Sequence, residues 1–85
     1  MADALEESVL LELRRIFKTD LERDEPVELT HELLRELHVD SLAAIVIAVG
    51  LENRFRVKLT EADTVGVVTV SDLVQRVAAR VRASA

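Results

Sequence analysis

The sequence predicts an all-α domain, a small bundle of three to four helices with a long first loop. Apolar residues recur at helical spacing in three separate stretches, and each stretch opens with a residue that commonly caps a helix. Between the first two stretches the periodicity fails around Pro26, within an acidic run. Eighty-five residues are the size of one domain, so we expect residues 1–85 to fold as a single unit.

The first helix should extend from Asp3 to about Lys18. Asp3 followed by Glu6 resembles a capping box, and basic residues in the last turn complement the helix dipole. The residues expected to face the core are Leu5, Val9, Leu13, Ile16 and Phe17.

A long loop should follow over residues 19–30. A loop of this length in a small domain needs apolar residues that hold it against the core, and the candidates are Leu21, Val27 and Leu29. Residues 31–37 fit either a short helical turn capped by Thr30 or a continuation of the loop. The sequence leaves both open.

The central helix should begin at Asp40-Ser41 and end near Arg54 or Phe55. No charged side chain occurs from residue 42 to residue 51. Gly50 lies inside this helix, where glycine is unfavourable by about 1 kcal/mol relative to alanine, so it suggests close approach of another element. The helix has two neighbouring apolar faces, one made of Ile47, Leu51 and Phe55 and the other of Leu42, Ile45 and Val49.

After the central helix, residues 56–59 alternate polar and apolar side chains but are too few to establish a strand. A short helix should begin at Thr60 and extend through Val65, and Gly66 should terminate it. Thr69, with Asp72 three residues later, is typical of the start of a last helix. Its apolar stripe extends to about Arg82 and consists of Val70, Leu73, Val74, Val77 and Val81.

The central helix carries the strongest functional signal. A helix that is apolar all round must normally be buried on every side, and so short a chain has few elements to surround it. One apolar face should therefore stay exposed beside Ser41 at the helix start. A reactive hydroxyl next to an exposed apolar strip suggests an attachment point and a docking surface, although an ordinary capping pair and a homodimer interface remain alternatives.

Composition excludes several classes of function. The net charge is −5, with −7 in residues 1–40 and +2 in residues 41–85, which argues against nucleic acid as a partner. The uncharged run of residues 42–51 is half of the ~20 residues that span a bilayer. The chain has no cysteine, which suits a reducing cytoplasm and excludes a thiolate nucleophile.

Metal binding and catalysis are disfavoured. His31 and His38 are the only histidines, and a metal site needs three or four converging ligands. His38 near Ser41 could suggest a nucleophile with its base, but no third orienting group or oxyanion hole is evident. We therefore expect no metal and no catalytic residue.

Asp40-Ser41-Leu42 at the start of a helix, in the middle of an acidic domain of this size, resembles the acyl carrier protein family. The resemblance covers nearly the whole chain, since the order of its helices and loops also fits. Leu37 matches the leucine before the family's motif, and Phe55 matches the aromatic residue near the end of its second helix.

The resemblance implies a discrete carrier rather than an enzyme. Ser41 would bear 4′-phosphopantetheine, which a phosphopantetheinyl transferase takes from coenzyme A, and Asp40 would help to orient the serine. The arm's thiol would hold acyl groups as thioesters for acyl-transferring or ketosynthase-type enzymes. The expected contacts with these partners are Leu42, Ile45, Val49, Glu36 and Glu61, and the carrier is expected to be a cytoplasmic monomer.

Two departures from the family pattern bear on this assignment. His38 stands where the family usually has glycine, which reaches backbone angles that histidine adopts only at a cost. Ala43 and Val46 stand where acids are common, so docking must use acids elsewhere or apolar contact. This favours a polyketide or specialised lipid pathway over housekeeping fatty acid synthesis.

Two alternatives remain open from the sequence. One is a small helical interaction module that uses the same apolar strip and carries no prosthetic group. The other is a carrier of aminoacyl or peptidyl groups.

Overall fold

Three α-helices form the structure, a computed structural model that describes residues 3–84. They are α1 (Ala4–Arg15), α2 (Ser41–Phe55) and α3 (Val70–Ser84). A π-helical turn (Ile16–Asp20) continues α1, and a 3-10 helix (Glu61–Thr64) lies between α2 and α3. No strand occurs within residues 3–84, so the all-α bundle is confirmed.

Helix α1 begins as the sequence predicts. The Asp3 carboxylate accepts a hydrogen bond of 2.9 Å from the Glu6 N–H, which satisfies one of the free donors of the first turn. The α-helix ends at Arg15, earlier than predicted, but the π-helical turn carries the helical path on to Asp20. The wider turn leaves Ile16 and Phe17 both buried.

The long loop is held against the core as expected. Val27 is buried, and Leu21 and Leu29 are half-buried against the core. Arg14 adds a polar attachment, since its Nε donates to the Val27 carbonyl oxygen at 2.9 Å and its Nη2 to the Glu28 carboxylate at 3.0 Å.

Residues 31–37 form hydrogen-bonded turns rather than a helix. The N–H groups of Glu36 and Leu37 both donate to the Glu32 carbonyl oxygen. Glu32 also forms an isolated antiparallel bridge with Thr69, and this pairing joins the segment to the start of α3.

The second half of the chain follows the predicted caps. Residues 57–59 are not a strand, and the Leu59 N–H donates to the Glu52 carboxylate at 2.7 Å. The 3-10 helix ends at Thr64, one residue before the predicted end, and has a capping box between Thr60 and Asp63. At α3 the Thr69 hydroxyl accepts from the Asp72 N–H, and the Asp72 carboxylate accepts from the Thr69 N–H.

The core lies where the three helices meet. Its buried side chains come from α1, the π-helical turn, the long loop, α2 and α3, and Leu37 adds one from the turns before α2. Gly50 allows a close approach between α2 and the π-helical turn, because a Cβ there would lie 2.7 Å from Ile16 Cδ1 and 3.0 Å from Ile16 Cγ1. The expectation that Gly50 marks a close helix contact is confirmed. No helix of residues 3–84 is long and apolar enough to cross a membrane.

Candidate functional site

Ser41 is the first residue of α2 and is exposed. Asp40 is the N-cap, and its carboxylate accepts a hydrogen bond of 2.8 Å from the Ala43 N–H. Among residues 3–84 no hydrogen bond engages the Ser41 hydroxyl. The cap therefore fixes the backbone around Ser41 while its Oγ faces solvent, as a site of covalent attachment requires.

The helix start also favours a negative charge at this site. The first N–H groups of an α-helix have no acceptor within the helix and carry the positive end of its dipole. A phosphodiester on Ser41 would place a negative charge at this end, an arrangement that contributes about 0.3–1 kcal/mol.

The segment before Ser41 has an unusual backbone. His38 has φ +52°, in the left-handed region that side chains other than glycine adopt at a cost of about 1–3 kcal/mol. Histidine thus takes the type of conformation that a glycine would favour there. Arg23 Nη1 donates to the Leu37 carbonyl oxygen at 2.5 Å, and Nη2 donates to that of His38 at 3.4 Å. The sequence indicated no such contact, since Arg23 lies in an acidic run of the long loop.

One apolar face of α2 is buried and the other is exposed. Ile47 and Leu51 are 4% and 0% exposed, whereas Leu42, Ile45 and Val49 are 71%, 59% and 47% exposed. Along the helix these three follow Ser41 on one side, and we call them the apolar strip. The sequence predicted one surplus face but could not say which, because both are apolar.

A surface groove borders the apolar strip. It has a volume of about 760 Å³ and lies between α2 and the end of α1 with its π-helical turn. Ile45 and Val49 belong to its lining, and its charged residues include Glu12, which is largely buried and bonded to Arg15 at 2.5 and 2.9 Å. The strip and the groove together make an extended, largely apolar surface.

The acids around Ser41 are partly engaged within the chain. Glu36 is exposed, but its carboxylate accepts a hydrogen bond of 2.8 Å from the Glu32 N–H. Glu61 is exposed, while Asp63 is half-buried and its carboxylate binds Arg80 at 3.0 and 3.1 Å. Ala43 is buried at 3% exposure, so that position faces the core rather than a partner.

The neighbours of Asp63 stabilise its ionised form. The Thr60 N–H donates to its carboxylate and holds its pKa below the usual value of an aspartate, and the Arg80 guanidinium acts in the same direction. This acid is therefore committed to holding the 3-10 helix against α3.

The two histidines lie in different local environments. His31 Nδ1 accepts a hydrogen bond of 3.1 Å from the Glu28 N–H, so it caps a turn, while His38 is exposed. Within residues 3–84 no group of three or more histidine or acidic side chains is arranged to hold a metal ion.

Comparison with known proteins agrees with this geometry. The family described as "Phosphopantetheine attachment site" matches residues 12–77. Acyl carrier protein 3 of Ralstonia nicotianae (strain ATCC BAA-1114 / GMI1000) is 39% identical over an alignment of 70 residues, and the match covers 79% of this chain and 78% of that protein. A solved Mycobacterium tuberculosis structure, Rv0033, provisionally described as an acyl carrier protein, has a TM-score of 0.70 and 28% identity. The match covers 89% of this chain and 97% of that one.

The fold and the exposed helix start therefore define a phosphopantetheine-binding carrier domain, and the chain belongs to the acyl carrier protein family. Its domain carries a covalently attached 4′-phosphopantetheine. Acyl carrier proteins are carriers rather than catalysts, and they interact with modifying and acyl-transferring enzymes. The exposed hydroxyl at a helix start fits this group, because a phosphodiester can form there without disturbing the core.

Proposed function

We propose that Ser41 is the attachment residue for 4′-phosphopantetheine and that the chain shuttles acyl groups bound to this arm. The observation that carries the proposal is the exposed Ser41 at the start of α2, held by the Asp40 cap. The matched family residues 12–77 include this position.

The attachment chemistry needs only the hydroxyl from this chain. In the transferase complex, Ser41 Oγ would form a bond to the phosphorus next to the pantetheine of coenzyme A. The bond from that phosphorus to the bridging oxygen of the pyrophosphate would break, and adenosine 3′,5′-bisphosphate would leave. The hydroxyl proton would pass to a base of the transferase or to solvent. Asp40 would position Ser41 by fixing the helix start.

The apolar strip is proposed as the docking surface for partner enzymes, with Glu36 and Glu61 at its acidic margin. Leu42, Ile45 and Val49 are exposed and follow Ser41 along α2. An enzyme that reacts with the arm must approach Ser41, so it would contact this strip. Exposed apolar side chains in a contiguous patch favour such contacts.

A specialised pathway, for polyketides or related lipids, is the finer proposal. It rests on the lack of any charged residue from Leu42 to Leu51 and on the use of Glu52 to hold Leu59. Partners of this carrier would then recognise an apolar helix face more than an acidic one. We also propose that residues 1–85 act as one carrier domain, as a cytoplasmic monomer.

Intact-mass measurement after incubation with a promiscuous phosphopantetheinyl transferase and coenzyme A tests the attachment. We expect the wild type to gain the mass of one phosphopantetheine group. Ser41→Ala should gain none, because the substitution removes the hydroxyl to which the group would be attached. Circular dichroism should show the same helical content for both proteins.

Ser71→Ala is the matched control, since Ser71 also lies in the first turn of a helix. This variant should gain mass like the wild type. Modification of Ser41→Ala, or no modification of the wild type, would contradict the proposal. Loading with acyl- and aminoacyl-pantetheine analogues by their respective enzymes then separates an acyl from an aminoacyl carrier.

A further inference from the structure

The segment before α2 is held by a single guanidinium from a distant part of the chain. Arg23 bonds the carbonyl oxygens of Leu37 and His38, four and three residues before Ser41. We propose that Arg23 is a positioning residue for Ser41: it fixes the segment that presents the hydroxyl to the transferase. This inference rests on the proposed attachment at Ser41.

The geometry of the two bonds explains why they control the backbone. The Leu37 carbonyl lies in the peptide plane before the His38 Cα, and the His38 carbonyl lies in the plane after it. Rotation about φ or ψ of His38 changes the relative orientation of these two planes. One rigid guanidinium that binds both carbonyls therefore holds both angles, including the unfavourable φ of +52°.

Arg23 also contacts residues outside this segment. Its guanidinium carbon lies 5.9 Å from the centroid of the buried Phe17 ring, and Nη1 lies 3.7 Å from the Glu25 carboxylate. The side chain is half-buried. These contacts restrict the positions that the guanidinium can take beside the two carbonyl oxygens.

The effect of Arg23 can pass to Ser41 through consecutive residues. The Val39 N–H donates to the Leu33 carbonyl oxygen at 2.9 Å, and Asp40 follows as the cap of α2. If His38 leaves the left-handed region, the direction of the chain into Val39 and Asp40 changes. The cap and the hydroxyl would then be correctly presented in only a fraction of molecules, which raises the apparent KM by the inverse of that fraction.

The test compares Arg23→Ala with Arg14→Ala as a matched control. Arg14 also bonds a carbonyl oxygen of the long loop and pairs with a glutamate there, but it does not touch the segment before Ser41. We expect kcat/KM of the transferase for Arg23→Ala to fall about tenfold, mainly through KM. Arg14→Ala should stay within about twofold of the wild type at a temperature where all variants are folded.

His38→Gly provides the rescue experiment. Glycine reaches positive φ without a side-chain penalty, so Arg23→Ala/His38→Gly should regain most of the lost kcat/KM. If kcat/KM fell only because the contacts of Arg23 with Phe17 or Glu25 were missing, His38→Gly would not restore it. The exchange rate of the Val39 amide should rise in Arg23→Ala and not in Arg14→Ala.

The outcomes separate this inference from the proposed function. No mass gain in the wild type would overturn attachment at Ser41 and, with it, the role of Arg23. If the wild type is modified but Arg23→Ala reacts as fast as Arg14→Ala, only the Arg23 inference fails. Failure of His38→Gly to restore the rate of Arg23→Ala would overturn it as well.

Discussion

His38 illustrates how a single residue can hold an unfavourable conformation because its neighbours compensate for it. A left-handed residue other than glycine costs about 1–3 kcal/mol. A hydrogen bond from a charged donor contributes about 1.5–3 kcal/mol. Arg23 makes one short bond of this kind to the Leu37 carbonyl oxygen and a longer one, at 3.4 Å, to that of His38. The short bond alone is of similar size to the cost of the left-handed conformation, so Arg23 can offset it.

Asp72 makes the stability of the folded chain depend on pH. The N–H groups of Thr69 and Val68 donate to its carboxylate and hold its pKa below the 3.8 of an ordinary aspartate. A depressed pKa means that the ionised form stabilises the folded state above about pH 4, and this stabilisation is lost as pH falls further. Asp72→Asn should therefore lower the melting temperature at neutral pH and weaken its decrease between about pH 4 and pH 2.

Thermal denaturation followed by circular dichroism over this pH range measures the effect. Asp24→Asn controls for the loss of one negative charge, because Asp24 is an exposed residue of the long loop. Equal acid sensitivity of Asp72→Asn and the wild type would show that the cap does not depend on ionised Asp72.

At the scale of elements, the contact between α2 and the π-helical turn depends on Gly50. An alanine there gains about 1 kcal/mol in helix propensity, but its Cβ would lie 2.7 Å from Cδ1 of the fully buried Ile16. Overpacking typically costs about 1–3 kcal/mol, so Gly50→Ala should lower the free energy of unfolding by about 1 kcal/mol.

Ile16→Val removes the methyl group that comes closest to Gly50. In that background Gly50→Ala should be neutral or stabilising, and urea denaturation of the four proteins gives the coupling energy directly. Additive effects of the two substitutions would mean that the close approach at Gly50 is not the cause of the loss.

The sequence predicts most elements because their signals are local. Asp3, Asp40 and Thr69 mark helix starts through bonds to residues three positions later, and all three caps are present. The π-helical turn could not be predicted, because Ile16 and Phe17 also fit an α-helical stripe. The bridge between Glu32 and Thr69 could not be predicted, because the pairing joins residues far apart in sequence.

In the candidate site, too, the sequence predicts the local features but not the contacts between distant residues. Asp40, Ser41 and an exposed α2 face are predicted from the sequence, since a capping pair followed by an uncharged run is a local pattern. The choice of face depends on where α1 and α3 pack and could not be made from the sequence. The bonds from Arg23 depend on how the long loop folds back toward α2, which no local pattern encodes.

Across the whole molecule, the excess of acidic residues and the uncharged part of α2 belong to different halves of the chain. Residues 1–40 carry the excess of acids, whereas α2 presents no charge between Leu42 and Leu51. On the docking surface proposed above, partner recognition would depend mainly on burial of apolar side chains, and each fully buried aliphatic side chain would contribute about 1.5–3 kcal/mol.

Ile45→Asp tests whether the transferase docks through the apolar side chains of α2. Loss of the apolar contact and burial of a charge should lower kcat/KM with the transferase at least about tenfold, while the melting temperature changes little because Ile45 is 59% exposed. Leu11→Asp is the matched control, since Leu11 is 63% exposed on α1, outside the strip. Equal effects of the two variants would contradict docking through α2.

The exposed position of Ser41, together with a chain that lacks cysteine, has a practical consequence for spectroscopy. With the arm on Ser41, its thiol would be the sole sulfhydryl of the molecule. A maleimide dye would then label one defined point at the tip of α2, without any engineered substitution. Fluorescence anisotropy of that dye would report directly on whether the arm swings freely in water or is gripped inside a partner enzyme.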